Sequence, residues 1–327
     1  MDKKNKKSSV IQNLGKYSLL IITFVLAAFF GIMRPQFFKL TNLLNILSSA
    51  CISALIGIAL TCSMAADEFD NSVGSQLTIG AIAVTKILTS TPIKNYWISC
   101  ILTLLIMVVI GLFNAFLHVK IKLPAFISTL GTMYILDGLG KYITNGANIL
   151  GAGKAVTKDF VILGQGYLFD IIPMPAVVLA VVGLIILILT ERTTFGKSLY
   201  AVGNNQVACS FLGINTEKVK TLGFVLGSVI AGVTGIVQSS ILNGVTANMG
   251  SFMLLYAMIT TMLGATFIKM GVYNVPGTIV GAVLLSVISN GLTMMEASSF
   301  MKNITQAVVL IVACAIVAQI KKRTKRQ

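Results

Sequence analysis

Residues 196–215, GKSLYAVGNNQVACSFLGIN, break the monotony of two long apolar segments. Thr190-Glu191-Arg192 closes the run before them, and Glu217-Lys218-Val219-Lys220 precedes the run after. Between lie small, amide-bearing and moderately apolar residues, with glycine at 196, 203 and 213. An ordered, mildly amphipathic insert between two membrane-length runs predicts a surface on one side of a bilayer that touches another chain.

Composition sets the frame around that insert. Hydrophobic residues make up 56% of the 327, charged residues only 11%, and the mean hydropathy is +0.90. Soluble domains carry roughly 25% charged residues, so polar side chains are too few to cover this surface and lipid must cover much of it. The apolar runs approach ~20 residues and are continuous rather than alternating, which predicts a polytopic helical membrane protein and excludes a barrel. The net charge of +15 is concentrated at the ends, in Lys3, Lys4, Lys6 and Lys7 and in Lys321, Lys322, Arg323, Lys325 and Arg326. Basic residues beside spans mark the cytoplasmic side. Both termini are therefore expected inside, with an even number of crossings and no nucleic-acid partner. The five cysteines show no metal or redox spacing and read as small core residues. Tyr17–Met33 is longer than a signal-peptide core and lacks a small-x-small cleavage site, so it is expected as a retained first helix.

Working along the chain, Tyr17–Met33 leads to an outside turn at Pro35-Gln36-Phe37-Phe38, and Thr41-Asn42 is read as the cap of the next helix. Asn42 to Ala66 carries Asn45, Ser48, Ser49, Ser53 and Thr61, which must face other helices or a watery path. The acidic break at 67–70 precedes a short run, Ser75 to Leu88, expected as a half-buried or broken helix beside a cavity. Further spans are expected at 96–117, 124–144, 174–189, 219–242, 251–267, 274–292 and 301–320, about ten in all. Gly223, Gly227, Ala231 and Gly235 recur every four residues, a groove for close helix approach. Asn71-Ser72-Val73-Gly74-Ser75 and Asn274-Val275-Pro276-Gly277-Thr278 share N-x-x-G-[S/T] at two hydropathy breaks, a weak echo of the related halves of transporters.

Catalytic constellations are not found. His118 sits in a Lys-flanked loop and reads as interfacial, and no span holds paired carboxylates or HExxH. Gly196-Lys197-Ser198 ends like a phosphate-binding loop, but Glu191 stands where the earlier glycine is needed, and Gly153-Lys154 fails likewise. No catalytic residue, metal site or bound cofactor is expected on this chain. Asp137 and Lys141, at i and i+4 in the fifth run, are the best candidates for ion coupling, with a helix-face ion pair as the plainer reading.

Several stretches together resemble the permease subunits of ABC importers for simple sugars, the ribose-type branch. They are Pro35–Phe38 with Thr41–Leu47; Phe69-Asp70-Asn71-Ser72-Val73-Gly74-Ser75, similar to an I-D-L-S-V-G-S signature with Asn71 for the usual Leu; Leu123–Gly131; and Thr144-Asn145-Gly146. The opening insert is the most telling, because Phe195-Gly196-Lys197, Ala201-Val202-Gly203-Asn204-Asn205 and Gly213-Ile214-Asn215 are similar to the family's ATPase-engaging loop. Departures are Gln206, where the family often has an acid, Phe211-Leu212 for a more polar pair, and Gly264–Gly271 for a Gly-Gly-rich turn.

The resemblance implies a permease domain at 17–320 between basic tails at 1–16 and 321–327, in the bacterial cytoplasmic (inner) membrane. It implies a coupling segment at 191–218 carried by Gly196, Lys197, Ala201, Gly203, Asn204, Asn205, Gly213 and Ile214. It also implies a second permease subunit, identical or not, two ATPase domains that use ATP and Mg, and an extracytoplasmic solute-binding protein. Polar residues on the spans and at the breaks are the candidate path for a monosaccharide or related polyol: Asn45, Ser49, Asp70, Asn71, Gly74, Ser75, Asn274, Gly277, Thr278 and Asn290. A nucleoside or sugar-derived signal as cargo, or an ion-coupled secondary transporter, is the alternative.

Overall fold

Each apolar run becomes a helix, because hydrocarbon offers no partner for backbone N–H and C=O groups and the helix satisfies them internally. The computed structural model describes residues 2–150 and 157–324, with side chains for 17–149 and 157–319. The Gly153-Lys154 pair therefore lies outside the described residues. Helix α1 (Asp2–Met33) carries the basic N-terminal residues as a continuation of the first apolar run. A 3-10 turn, Pro35–Phe38, with Phe37 buried, leads into α2 (Leu40–Met64). Then come α3 (Val73–Ser90), α4 (Tyr96–Ala115), a π turn at Phe116–Lys120, and α5 (Ala125–Thr144).

Short elements follow at the α5 exit: β1 (Ile149–Leu150), α6 (Lys158–Gln165), and the hairpin of β2 (Tyr167–Leu168) with β3 (Ile172–Pro173). Helix α7 (Met174–Arg192) returns to the opposite end, where α8 (Thr194–Asn204) and α9 (Gln206–Phe211) lie. The chain finishes with α10 (Thr216–Leu242), β4 (Gly244–Val245), α11 (Met253–Gly264), α12 (Val275–Met294) and α13 (Ser299–Thr324). β4 pairs antiparallel with β1, Ile149 opposite Val245.

Six helices among the described residues are long and apolar enough to cross a membrane: α2, α4 with its π turn, α7, α10, α12 and α13 through Gln319. Tyr17–Met33 and α11 are shorter apolar segments. This is a multi-pass membrane protein, almost wholly helical.

Helix α2 is the axis of the bundle, buried at every residue from Ala50 to Met64. Helices α10, α11 and α12 pack around it, and α10 also packs on α3 and α4. The expected small-residue groove on α10 does this work: a Cβ on Gly227 would stand 2.8 Å from the Ala59 carbonyl of α2, and one on Gly223 would stand 3.1 Å from that of Cys62. Lipid is as apolar as leucine, so such close packing and interhelical hydrogen bonds hold the helices together. Thr61 and Thr278 hydroxyls meet at 2.8 Å, and the Thr261 hydroxyl donates to the Gly57 carbonyl at 2.9 Å. Bonds of this type contribute about 0.6 kcal/mol each on average. The outer faces are stripes at helical spacing, such as Ile101, Leu105 and Val109 on α4 and Ile304, Val308 and Ile311 on α13, all exposed.

Three expectations are corrected here. Thr41-Asn42 does not cap α2, which starts at Leu40 behind Lys39 with no side-chain cap. The Asn42 amide instead donates to the Phe37 carbonyl at 2.9 Å and exchanges two hydrogen bonds with Asn290 at 3.0 and 2.9 Å. Helix α3 is not broken; it runs unbroken for 18 residues and is buried along most of its length, with Ser75, Gln76, Thr78 and Thr85 each making a side-chain hydrogen bond within the protein. Asp137 takes the Ser75 hydroxyl at 2.6 Å rather than an ion pair with Lys141, which is exposed.

Candidate functional site

Three side-chain caps in a row explain why the insert is ordered. The Thr193 hydroxyl accepts from the Gly196 amide at 3.3 Å, Asn205 Oδ1 from the Ala208 amide at 2.9 Å, and Asn215 Oδ1 from the Lys218 amide at 2.9 Å. These start α8, α9 and α10 in turn, each satisfying an otherwise orphaned helix N–H. The exit of α9 is closed by a reciprocal pair: Gly213 N–H donates to Ser210 and Ile214 N–H to Cys209, with Gly213 at φ +78°. That is a Schellman turn, whose left-handed position suits glycine.

The inner side of this insert is apolar. Leu199, Val202 and Cys209 are buried with Ala65 and Ala66 beyond the end of α2 and with Val219 of α10. Gly203 lies against the α2 exit, where an added Cβ would collide with the Ala65 carbonyl oxygen and stand 3.2 Å from the Ala66 carbonyl carbon. Gly196 is buried over the last turn of α7. Lys197, Asn204 and Asn205 are exposed, and Ala201 and Ile214 are half-buried. The outer side carries three large apolar residues in the open: Val207 at 65% exposure, Phe211 at 87% and Leu212 at 80%.

Beneath α9 lies an ionic cluster that the sequence reading missed. Glu68, in the turn after α2, accepts from His118 Nε2 at 3.0 Å and Lys220 Nζ at 2.5 Å. Lys220 also donates to Gln206 Oε1 at 2.7 Å, and His118 Nδ1 sits 2.8 Å from the Leu123 carbonyl. The side chains of all three charged partners are under 15% exposed. Burial works to raise the Glu68 carboxyl, but the hydrogen bonds from His118 and Lys220 and their charges outweigh it and hold the group below its ordinary value. Three chain segments thus meet at one carboxylate, and Gln206 joins a fourth through Lys220. A further pair, Lys269 with Glu191 at 2.5 Å, ties the α11–α12 turn to the end of α7.

The candidate path residues divide. Ser49 and Asn290 line a cavity of about 350 Å³ between α2, α10, α11 and α12, at the end of the bundle opposite α8 and α9. Its polar groups are Ser48, Ser49 and Ser53 of α2, Gln238 of α10, Tyr256 of α11, and Ser286, Ser289, Asn290 and Thr293 of α12. Among the described residues, no charged side chain lines it. Asn45 is exposed one turn before Ser48. Gln306 of α13 braces the wall by donating to the Tyr256 hydroxyl at 3.3 Å and the Ser289 hydroxyl at 3.2 Å.

The remaining path candidates are elsewhere, in closed packing. Asp70 is buried and accepts from the Ser72 amide at 2.8 Å and Gln76 Nε2 at 3.2 Å. Asn71 donates to the Phe126 carbonyl at 3.1 Å, Ser75 is taken by Asp137, and Gly74 lies against Gly250. Asn274 caps α12 through the Gly277 amide at 2.8 Å and donates to the Val272 carbonyl at 2.9 Å, while Thr278 bonds Thr61. Both N-x-x-G breaks are therefore places where an asparagine ties up backbone at a helix start. Among the described residues, no group of three or more His, Cys, Asp or Glu side chains comes together.

Comparison with known proteins bears on what such a bundle does. Residues 42–314 match the family described as branched-chain amino acid transport system / permease component. The chain is similar to a ribose import permease protein of Haemophilus influenzae, at 30% identity over 90% of each chain. It is also 30% identical to an autoinducer 2 import system permease protein of Yersinia enterocolitica, over 92% of this chain and 82% of that one. Among solved structures, an inward-facing conformation of a metal-chelate type ABC transporter has the same fold, with a TM-score of 0.52 at 12% identity, covering 93% of this chain and 96% of that one.

Proposed function

The chain belongs to this family of transport-system permease components, and from that premise we propose that it forms the membrane path of an ATP-driven importer for a monosaccharide or related small polyol. The observation that carries the cargo class is the cavity of about 350 Å³, lined by hydroxyls and amides without a charge. Such groups exchange hydrogen bonds with a neutral polyol one for one, whereas fixed charges would favour ions. Relatives named for ribose import support the same class. The relative named for autoinducer 2 favours a second reading, the same path with a different small cargo.

In this reading the chain crosses the cytoplasmic (inner) membrane ten times, through Tyr17–Met33 of α1, then α2, α3, α4, α5, α7, α10, α11, α12 and α13. Both termini are then cytoplasmic, and so is the α8–α9 end. The basic tails, Lys3, Lys4, Lys6 and Lys7 and Lys321, Lys322, Arg323, Lys325 and Arg326, favour that orientation by the positive-inside rule. ATP and Mg are used by two ATPase domains on other chains, which dock on Phe211, Leu212 and Val207. A second permease subunit completes the path, and an external binding protein delivers cargo to the cavity end. The ATPases bias a bistable bundle through α8 and α9.

Reconstitution tests this. Vesicles holding the chain, its ATPase and the binding protein are expected to accumulate sugar only with ATP inside and binding protein outside. Uptake by this chain alone, driven by an ion gradient and indifferent to ATP, would overturn it.

A further inference from the structure

Helices α4 and α10 touch at Gly111, where an added Cβ would stand 2.7 Å from Val225 Cα and 2.9 Å from the Ser228 hydroxyl. Towards the α8–α9 end they stay in contact through Phe224, which packs on Ala115 and His118, and a wedge-shaped groove opens on their outer face. The π turn at Phe116–Lys120 widens the end of α4, and α10 begins there at Thr216. The resulting wedge encloses about 570 Å³. Its walls are apolar and open, with Leu112 at 48% exposure, Phe116 at 53% and Leu222 at 47%. Its mouth is polar and basic, lined by Lys120, Lys218 and Asn215. Glu217 holds Lys120 at 2.8 Å, and Lys122 follows in the same loop, so three lysines stand against one carboxylate.

We propose that this wedge binds an anionic phospholipid, its acyl chain between α4 and α10 and its headgroup at Lys120 and Lys218. The depth and the charge argue together. Walls on two membrane-crossing helices face acyl chains. Lysine stems lie along apolar surface while their ammonium groups reach the headgroup plane. The excess positive charge selects an anionic headgroup over a zwitterionic one. A lipid seated there would brace the first turns of α10, which leave the insert directly. The site rests on the membrane-crossing reading alone, so it survives a failure of the cargo or motor assignments.

The test places a reporter in the wedge. Trp97 is the one tryptophan of the chain, so a Trp97→Phe, Leu222→Trp variant of the full chain, reconstituted alone in vesicles, carries a single tryptophan there. Quenching by brominated phosphatidylglycerol and by brominated phosphatidylcholine gives their relative occupancy. The expected preference for phosphatidylglycerol is about fivefold for each lysine engaged, falling to near one in Lys120→Gln, Lys218→Gln. A ratio near one with both lysines present, or a preference that outlasts both substitutions, overturns the site. A tryptophan quenched by neither lipid also overturns it, because a second copy of the chain or another protein then covers the groove. Native mass spectrometry of the unsubstituted chain gives an independent reading: retained phosphatidylglycerol that is lost in the double lysine variant supports the site, and equal retention of both lipids refutes it.

Discussion

The two ends of this bundle spend their polar groups in opposite ways. At the α8–α9 end, the ionic cluster and the helix starts are answered by protein: Glu68 by His118 and Lys220, Lys220 again by Gln206, and the helix starts by Thr193, Asn205 and Asn215. At the other end the cavity keeps Ser48, Ser49, Gln238 and Ser286 facing open space, while Ser53, Tyr256, Ser289, Asn290 and Thr293 have internal partners. A fully answered network resists shear between the segments it joins, which suits the proposed motor-docking surface. The groups left open in the cavity keep capacity for a ligand, as the proposed path requires.

The sharpest way to break that contrast is to remove the carboxylate. Glu68→Ala leaves Lys220 and His118 buried without their partner, and breaking one side of a buried pair costs about 3–5 kcal/mol. Thermal unfolding of the reconstituted protein is expected to fall accordingly, with the ATPase turning over but transporting little. Because Glu68 is held below its ordinary value, its contribution is fully present above pH 4.5 and is lost as pH falls through the lower folded-state value. Stability measured from pH 7 downward should therefore drop below pH 4.5, and Glu68→Gln should remove that part of the drop. Unchanged melting in Glu68→Ala would mean the cluster is ornament and the two ends are alike.

That cluster was illegible in the sequence for a physical reason. Glu68, His118, Gln206 and Lys220 belong to four segments with no common period, and only the packing of α2, α4, α9 and α10 brings them together. The helices were legible, because hydropathy reports the solvent each segment faces, and the α10 groove was legible because small residues every four positions share one face. The insert could be read from its glycines and its asparagines. The lining of the cavity was less legible. Polarity at a hydropathy break marks Asn71 and Asn274 equally with Ser49 and Asn290, yet the first two are consumed by backbone groups at helix starts. Ser286, Ser289 and Thr293 gave a usable signal, a polar stripe at i, i+3 and i+7 on α12, that hydropathy averaging hid.

Two glycines sharpen the comparison at the next level of effect, because each serves the insert differently. Gly213→Val puts a β-branched residue at φ +78° in the Schellman turn, a local cost of about 1–3 kcal/mol. Gly203→Val drives a side chain into the backbone at Ala65 and lifts α8 from α2. In both, membrane insertion and the cavity should be unaffected while transport per ATP hydrolysed falls; Gly213→Ala should fall less than Gly213→Val. Normal coupling in both valine variants would reduce the insert to a linker.

The smallest expected effect is the most discriminating, because it crosses the two regions. Ser289→Ala removes a cavity hydroxyl held by one long hydrogen bond from Gln306 at 3.2 Å, so melting should stay within about 0.5 kcal/mol of the parent. If the hydroxyl meets cargo, one lost hydrogen bond of about 1 kcal/mol raises the transport KM roughly fivefold. Thr278→Val should do the reverse. It keeps the shape but removes the hydroxyl that meets Thr61 at 2.8 Å between α2 and α12, lowering stability by about 0.6–1 kcal/mol with KM unchanged. Measured side by side, the pair separates a binding surface from a structural one. Equal effects on KM from both would place the path through Thr61 and Thr278 as well, reopening the N-x-x-G break at Asn274 as part of it.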